Sequence, residues 1–287
     1  MKPRHVLLAF MLATVSVGVV HADPPTRNQV HRNITKTLYR CNIKHAKWFN
    51  DGGAHANKIF ALKLGNKNSP KEMGALLKPR PFGDVTPDGT GQERSPMNYV
   101  AYWLNRRLKM DIVPPTAYVH NRDVPGMGFV HEGAITYKAK NAKNLRTIAE
   151  KHWGVNPTLF KSDVRILDIM LRANDRHDHQ VIMAQHWFDG IARPMVVDFG
   201  AGNRPGADVS LDSDGLHHFL TSFNGGKVRN IRKRTLDEMK TLTFGELKAE
   251  FSGGFLSDGE MGMMIDLRNG IADFFNRNPS MIVNDNN

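Results

Sequence analysis

Apolar positions along this chain recur with two different periods, and the alternation between them sketches the elements. Val30, Ile34, Leu38 and Cys41 are spaced by three to four residues inside an otherwise polar stretch, residues 23–57, and predict a short helix with a lead-in. Ile59-Phe60-Ala61-Leu62-Lys63-Leu64 and Ala75-Leu76-Leu77-Lys78 are short apolar runs that read as strands. A polar turn from Gly65 to Glu72 separates them, and Pro79 and Pro81 stop the second. Residues 83–91, rich in Gly, Pro and Asp, read as a loop.

Helical spacing returns over residues 95–110, where Met97, Val100, Ala101, Leu104 and Leu108 share a face and Pro96 suits the first turn. Val113-Pro114-Pro115-Thr116 ends that helix and starts an extended segment, Ala117 to His120. Gly126, Gly128 and Gly133 surround a short strand at Phe129-Val130. Residues 141–172 read as helical with a break at Asn156-Pro157. Val181-Ile182-Met183 and Met195-Val196-Val197 predict two strands joined by a hairpin-like loop at Asp189-Gly190. A Gly- and Asp-rich loop follows at 201–217, then two or three helices over 235–278. Strands with one helix come first and mostly helices later, with no internal repeat, which predicts an α+β fold.

The first 22 residues read as an address. Lys2 and Arg4 precede an apolar stretch from Val6 to Val20, and Val20-His21-Ala22 places small residues where a signal peptidase needs them. Cleavage before Asp23 is expected, with an extracytoplasmic location, periplasmic or secreted, for the mature chain. Nothing after residue 22 is apolar for long enough to span a bilayer. The 287 residues carry a formal charge of +11, which removal of the leader would reduce to +9. That excess favours anionic partners. The densest basic run, Lys227 to Arg234, lacks interleaved aromatics, which argues against nucleic acid as the partner. Cys41 is the only cysteine, which excludes an internal disulfide framework; a buried thiol is expected.

Candidate chemistry concentrates in two segments. Asn174-Asp175-Arg176-His177-Asp178-His179-Gln180 follows a helix and leads into a strand, and Val197-Asp198-Phe199-Gly200 follows the next strand. Phosphoryl transfer needs a carboxylate to orient the acceptor, an acidic ligand for Mg²⁺ and a lysine for the nucleotide phosphates. The spacing from Asp175 to Asp198 accommodates a catalytic loop, a hairpin and a metal loop.

Asp175-Arg176-His177 followed by Val197-Asp198-Phe199-Gly200 resembles the atypical kinases: the phosphatidylinositol 3-/4-kinase-like proteins and the secretory-pathway kinases related to Golgi casein kinase. Leu77-Lys78-Pro79 and Val113-Pro114-Pro115-Thr116 stand in the family's order, and the resemblance covers roughly residues 58–270. It implies a two-lobed kinase-like fold, with a small mixed N-lobe over 45–130 and a mainly helical C-lobe over 131–280. An N-terminal extension (23–44) precedes them and a disordered tail (281–287) follows. It implies ATP with Mg²⁺ or Mn²⁺ as cofactors. A nucleotide and a protein acceptor are the implied partners, an acidic acceptor suiting the basic surface, with a lipid or small-molecule hydroxyl as the alternative.

Carried over residue by residue, the resemblance makes Asp175 the catalytic carboxylate, and Asp198 and Gln180 the metal ligands. Lys78 becomes the phosphate lysine, and Phe129, Val130 and His131 meet the adenine. Lys63, in Ala-Leu-Lys-Leu, competes with Lys78 because it resembles the lysine motif of ordinary protein kinases. His177 is expected to pack within its loop. Two positions depart from the pattern. Gln180 stands where lipid-kinase-like members have Asn, and Asn98 stands where the N-lobe helix carries Glu, with Glu93 as an upstream substitute. These departures keep a pseudokinase scaffold open. A metal hydrolase built on His177, Asp178 and His179, with His186, His217 or His218 as a further ligand, is the rival of another class, and a basic binding protein without catalysis is a third.

Overall fold

The computed structural model describes residues 26–49, 59–65, 72–80, 96–173, 176, 180–199, 230–251 and 255–284. Helix α1 (Arg27–Arg40) opens with a capping box: Thr26 Oγ1 accepts from Gln29 N at 3.3 Å, and Gln29 Oε1 accepts from Thr26 N at 2.7 Å. Both orphan N–H groups are thereby satisfied at the helix start. The chain then builds β1 (Asn42–Trp48), β2 (Phe60–Gly65), β3 (Met73–Pro79), α2 (Pro96–Arg107), β4 (Thr116–Val124) and β5 (Gly128–Tyr137). The five strands form one antiparallel sheet in the order β1-β2-β3-β5-β4. α1 buries Leu38 and packs Ile34 against Leu62, Leu64, Leu77 and Ile135 of that sheet. Arg122 of β4 donates to the Cys41 carbonyl at 2.6 Å and the Tyr39 carbonyl at 3.1 Å, tying the end of α1 to the far edge strand.

A second antiparallel sheet of three strands follows, ordered β6-β7-β8: β6 (Lys140–Asn144), β7 (Val181–Gln185) and β8 (Ala192–Val196). Helix α3 (Pro157–Met170) lies between β6 and β7 in the chain. Among the described residues after β8 the chain forms α4 (Lys233–Thr241), α5 (Phe244–Phe251) and α6 (Asp258–Arg277), with β9 (Ile231–Arg232) pairing in parallel with β10 (Ile282–Val283). The largest core joins α2 to these helices through Val100, Leu104, Leu108, Ile166, Leu167, Leu267, Ile271 and Phe275. The architecture is thus a mixture of antiparallel sheets and helices, and among the described residues no helix is long and apolar enough to cross a membrane.

The chain departs from its sequence pattern in several places. The helix expected over residues 141–156 does not form: 140–144 make β6, and two 3-10 turns follow. Lys140-Asn-Ala-Lys-Asn has no apolar face for a helix to bury, so its backbone pairs with β7 instead. The expected break at Asn156-Pro157 is a helix start: Asn156 Oδ1 accepts from Leu159 N at 3.2 Å, with Pro157 in the first turn. β1 falls in the stretch that reads as a helix lead-in. It is an edge strand, largely exposed, and carries no alternating pattern to betray it. β4 and β5 are longer than the two segments expected, and β5 runs across residue 130. Cys41 is half-buried rather than buried.

The loop after α2 is held by Asn105, which is fully buried; its Oδ1 accepts from Ile112 N at 2.7 Å and Val113 N at 3.2 Å. Beside these anchors Asp111 adopts φ 64° and points its carboxylate at α1 and the β7–β8 turn. Arg27 Nη1 lies 2.7 Å from Asp111 Oδ2, and the imidazoles of His31 and His186 each approach the carboxylate to 3.5 Å. Trp187 Nε1 lies 3.3 Å from His31 Nε2, and His31 Nδ1 lies 3.1 Å from the Tyr102 hydroxyl. Burial alone would push the Asp111 carboxyl up, but the two imidazoles and the Arg27 charge outweigh it and hold the group well below the usual carboxylate range.

A carboxyl whose pKa is lower folded than unfolded stabilises the fold above its unfolded value, near 4, and loses that contribution as the pH falls through the folded value. Asp111→Asn should therefore cost about 1–2 kcal/mol at pH 7, and the gap to the wild type should narrow progressively as the pH falls below about 4. Urea denaturation across that range checks it; a gap independent of pH would show that the charge of Asp111 is not what matters.

Candidate functional site

Lys78 is the buried lysine of β3. It pairs with Ala134 of β5, and its neighbour Pro79 pairs with Gly133. Gly133 has no room for a side chain: a Cβ there would meet the Lys78 carbonyl at 2.8 Å and Pro79 Cα at 2.9 Å. β5 therefore passes close against the backbone of Lys78 and holds the strand in place. The Lys78 side chain, 9% exposed, places Nζ 3.0 Å from Asp198 Oδ1. Two halves of the chain, 120 residues apart, meet at this contact.

Asp198 leaves β8 with φ 60°, in the left-handed region that Asp tolerates better than most side chains. Such backbone persists only where its surroundings over-determine it. Here they do. Val197 N donates to the Gln180 carbonyl at 2.9 Å, before the turn. Phe199 N donates to Asn98 Oδ1 at 3.0 Å, after it. The Phe199 ring is buried, with the Arg176 guanidinium 4.5 Å from its centre. The side chain of Asp198 remains about one third exposed.

Arg176 organises this corner. Its Nε and Nη2 grip Asp168 of α3 at 3.1 and 2.7 Å. Its Nη1 donates to the Val197 carbonyl at 2.8 Å, to Gln180 Oε1 at 3.2 Å and to the Asp198 carbonyl at 3.3 Å. Asp168 is almost wholly buried and Arg176 nearly so. Burial pushes the Asp168 carboxyl up, and the Arg176 guanidinium opposes that push. The pair is thus a rigid strut between the end of α3 and the Asp198 turn. Sequence reasoning missed both Asp168 and the bridging role of Arg176. The available signal was an Asp inside Ile-Leu-Asp-Ile-Met, a charge on an apolar helix that must find a partner.

Of the anticipated residues, Lys78, Asp198 and Gln180 come together here, with Asn98 beside them. Asn98 caps the Phe199 amide, and Gln180 offers its oxygen to Arg176. Lys63 does not join them: its side chain is 62% exposed on β2, 3.2 Å from Glu72 Oε2. Phe129, Val130 and His131 do not join them either. They sit beside the β4–β5 turn, paired toward Asp123 and Arg122, while Lys78 pairs with Ala134. That offset is roughly 10–17 Å along β5. The chain crosses from the five-stranded to the three-stranded sheet at Lys138-Ala139. Asp175, His177, Glu93, Asp178, His179, His217 and His218 lie outside the described residues. His186 is buried beside Asp111, away from this corner, and among the described residues no three His, Cys, Asp or Glu side chains are placed to hold a metal ion.

What the corner can do follows from its donors. A carboxylate oxygen suits a hard divalent cation, and Mg²⁺ commonly takes one or two carboxylates and completes its shell with water and phosphate oxygens. Asp198 fits the first role, and Lys78 beside it fits the charge of a phosphate. Gln180 is a weaker cation ligand, because Arg176 already draws on its oxygen.

No protein-family model and no curated protein matches the chain. A crystal structure of the Helicobacter pylori proinflammatory kinase CtkA aligns with TM-score 0.44 and 16% identity, over 81% of this chain and 93% of that one. At that TM-score the likeness carries no argument for what this chain does.

Asp168→Asn keeps the shape of the side chain and strands the Arg176 charge. It should cost roughly 3–5 kcal/mol in urea denaturation, whereas Lys63→Ala, which breaks an exposed pair, should cost under about 1 kcal/mol. Equal costs would mean that Arg176 is not held as described.

Proposed function

We propose that this chain is an atypical kinase, of the kind related to the phosphatidylinositol 3-/4-kinase-like and secretory-pathway kinases, acting outside the cytoplasm after loss of its leader. The observation that carries the reading is the contact of Lys78 Nζ with Asp198 Oδ1 at 3.0 Å, between β3 and the turn after β8. Two lobes would then meet at this contact, the five-stranded sheet with α2 on one side and the later helices on the other.

In this reading Asp198 holds the divalent cation, Mg²⁺ or Mn²⁺, and Lys78 holds a phosphate of the nucleotide. ATP, when bound, supplies the phosphoryl group. Asp175 orients the acceptor hydroxyl and takes its proton. The strut from Asp168 through Arg176 would keep the Asp198 turn fixed, so that its carboxylate need not reorganise to hold a cation. A protein Ser or Thr hydroxyl is the first choice of acceptor, and a lipid or small-molecule hydroxyl the second.

Two residues favour a pseudokinase as the second reading. Asn98 is neutral and caps Phe199 N, so α2 brings no carboxylate at that position to the lysine. Gln180 gives its oxygen to Arg176.

The test is phosphoryl transfer from labelled ATP by residues 23–287, with Mg²⁺ and with Mn²⁺, to protein acceptors and to the chain itself. Asp198→Ala and Asp175→Ala should each lower the rate by about 100-fold or more, Lys78→Met by roughly 100-fold, and Lys63→Ala by less than about twofold. A Lys63 variant as impaired as the Lys78 variant would overturn the assignment of the lysine. Transfer by none of them, with a folded wild type, would leave the pseudokinase reading.

A further inference from the structure

A cleft of about 550 Å³ opens where α1, α2, β4, α5 and the segment after α5 converge. Its chemistry is lopsided. Arg32, Lys36 and Arg40 line it from α1 and Arg106 from α2, while Tyr39, Tyr118 and Phe255 give it an aromatic wall. Arg32, Lys36 and Arg40 are exposed and four residues apart, so they form a ladder of like charge along one helix face. Like charges at that spacing destabilise a helix. No carboxylate among the described residues pairs with any of the four cations. The cleft's own acid, Glu250, is already engaged, accepting from the Tyr99 hydroxyl at 2.5 Å. Elsewhere on the same helices the chain does pair its charges: Arg27 meets Asp111, and Arg107 meets Glu238 and Glu246.

The ladder also has a length. Arg32 to Arg40 spans about 12 Å of helix, which an extended peptide covers in roughly four residues. A single phosphate would be served by cations converging on one point. Cations strung along a groove match an anionic chain, and the aromatic wall beside them matches an apolar side chain on that chain.

We propose that this cleft docks an acidic segment of a protein partner, with its carboxylates along Arg32, Lys36 and Arg40 and one apolar side chain against Tyr39, Tyr118 and Phe255. The inference does not rest on phosphoryl transfer and holds for a kinase or a scaffold alike. α2 lines the cleft through Tyr99 and Arg106 and reaches the Asp198 turn through Asn98, so a docked partner sits on the helix that borders the candidate site.

The test uses residues 23–287 and a short fluorescent peptide of alternating Glu and Asp with one central Phe, read by anisotropy near physiological salt. The peptide should bind. Its Gln/Asn counterpart and its version with Ala for Phe should both bind more weakly. Arg32→Glu, Lys36→Glu and Arg40→Glu combined should weaken binding roughly tenfold or more. Lys140→Glu, Lys143→Glu and Lys151→Glu combined make the same charge change at exposed lysines elsewhere and should weaken it less than about threefold. Unchanged thermal unfolding of both triple variants keeps the comparison clean, and Tyr39→Ala tests the aromatic wall without altering charge. Equal losses in the two triple variants would reduce the effect to the overall basic charge and overturn the proposal. So would no binding, or a peptide displaced by a mononucleotide but unaffected by the α1 substitutions.

Discussion

The buried pair of Asp168 and Arg176 is the constraint on which the rest of this corner depends. A guanidinium and a carboxylate removed from water are costly, and they persist only when every donor finds an acceptor. Arg176 spreads its donors over Asp168, Gln180 and the carbonyls of Val197 and Asp198, so each of its three nitrogens donates at least once. The same bonds that satisfy the charge fix the path of the chain as it leaves β8. Asp198 can then hold a left-handed backbone with its carboxylate turned toward Lys78.

A second constraint acts from the sheet. Gly133 lets β5 approach the Lys78 backbone more closely than any side chain would permit. Asn98, at the start of α2, holds the amide of Phe199 from the other side. The lysine, the aspartate and the turn between β8 and the following chain are thus positioned by β3, β5, α2 and α3 together. None of these elements places the pair by itself.

Much of the frame was legible in the chain. The spacing of Val30, Ile34 and Leu38 marked α1, that of Val100, Leu104 and Leu108 marked α2, and the apolar runs marked β2, β3, β7 and β8. The failures have physical causes. β1 and β6 are exposed edge strands whose partners, not their own side chains, make them strands. Local motifs made Lys63 and Lys78 rivals, and only the burial alternation along β2 and β3, with the distant β8, separates an exposed lysine from one facing Asp198. Phe129 to His131 stand apart from Lys78 because β5 is a long strand that continues to Tyr137 before the chain crosses between sheets. The basic cleft was foreshadowed only as a net charge, because its four cations come from two helices and meet through packing.

The most direct measurement is calorimetric titration of residues 23–287 with ATP in the presence of Mg²⁺, of Mn²⁺ and of neither. The account predicts binding that requires the divalent cation. No binding with either metal in a folded sample, or binding indifferent to metal, would contradict a nucleotide and cation site at Lys78 and Asp198.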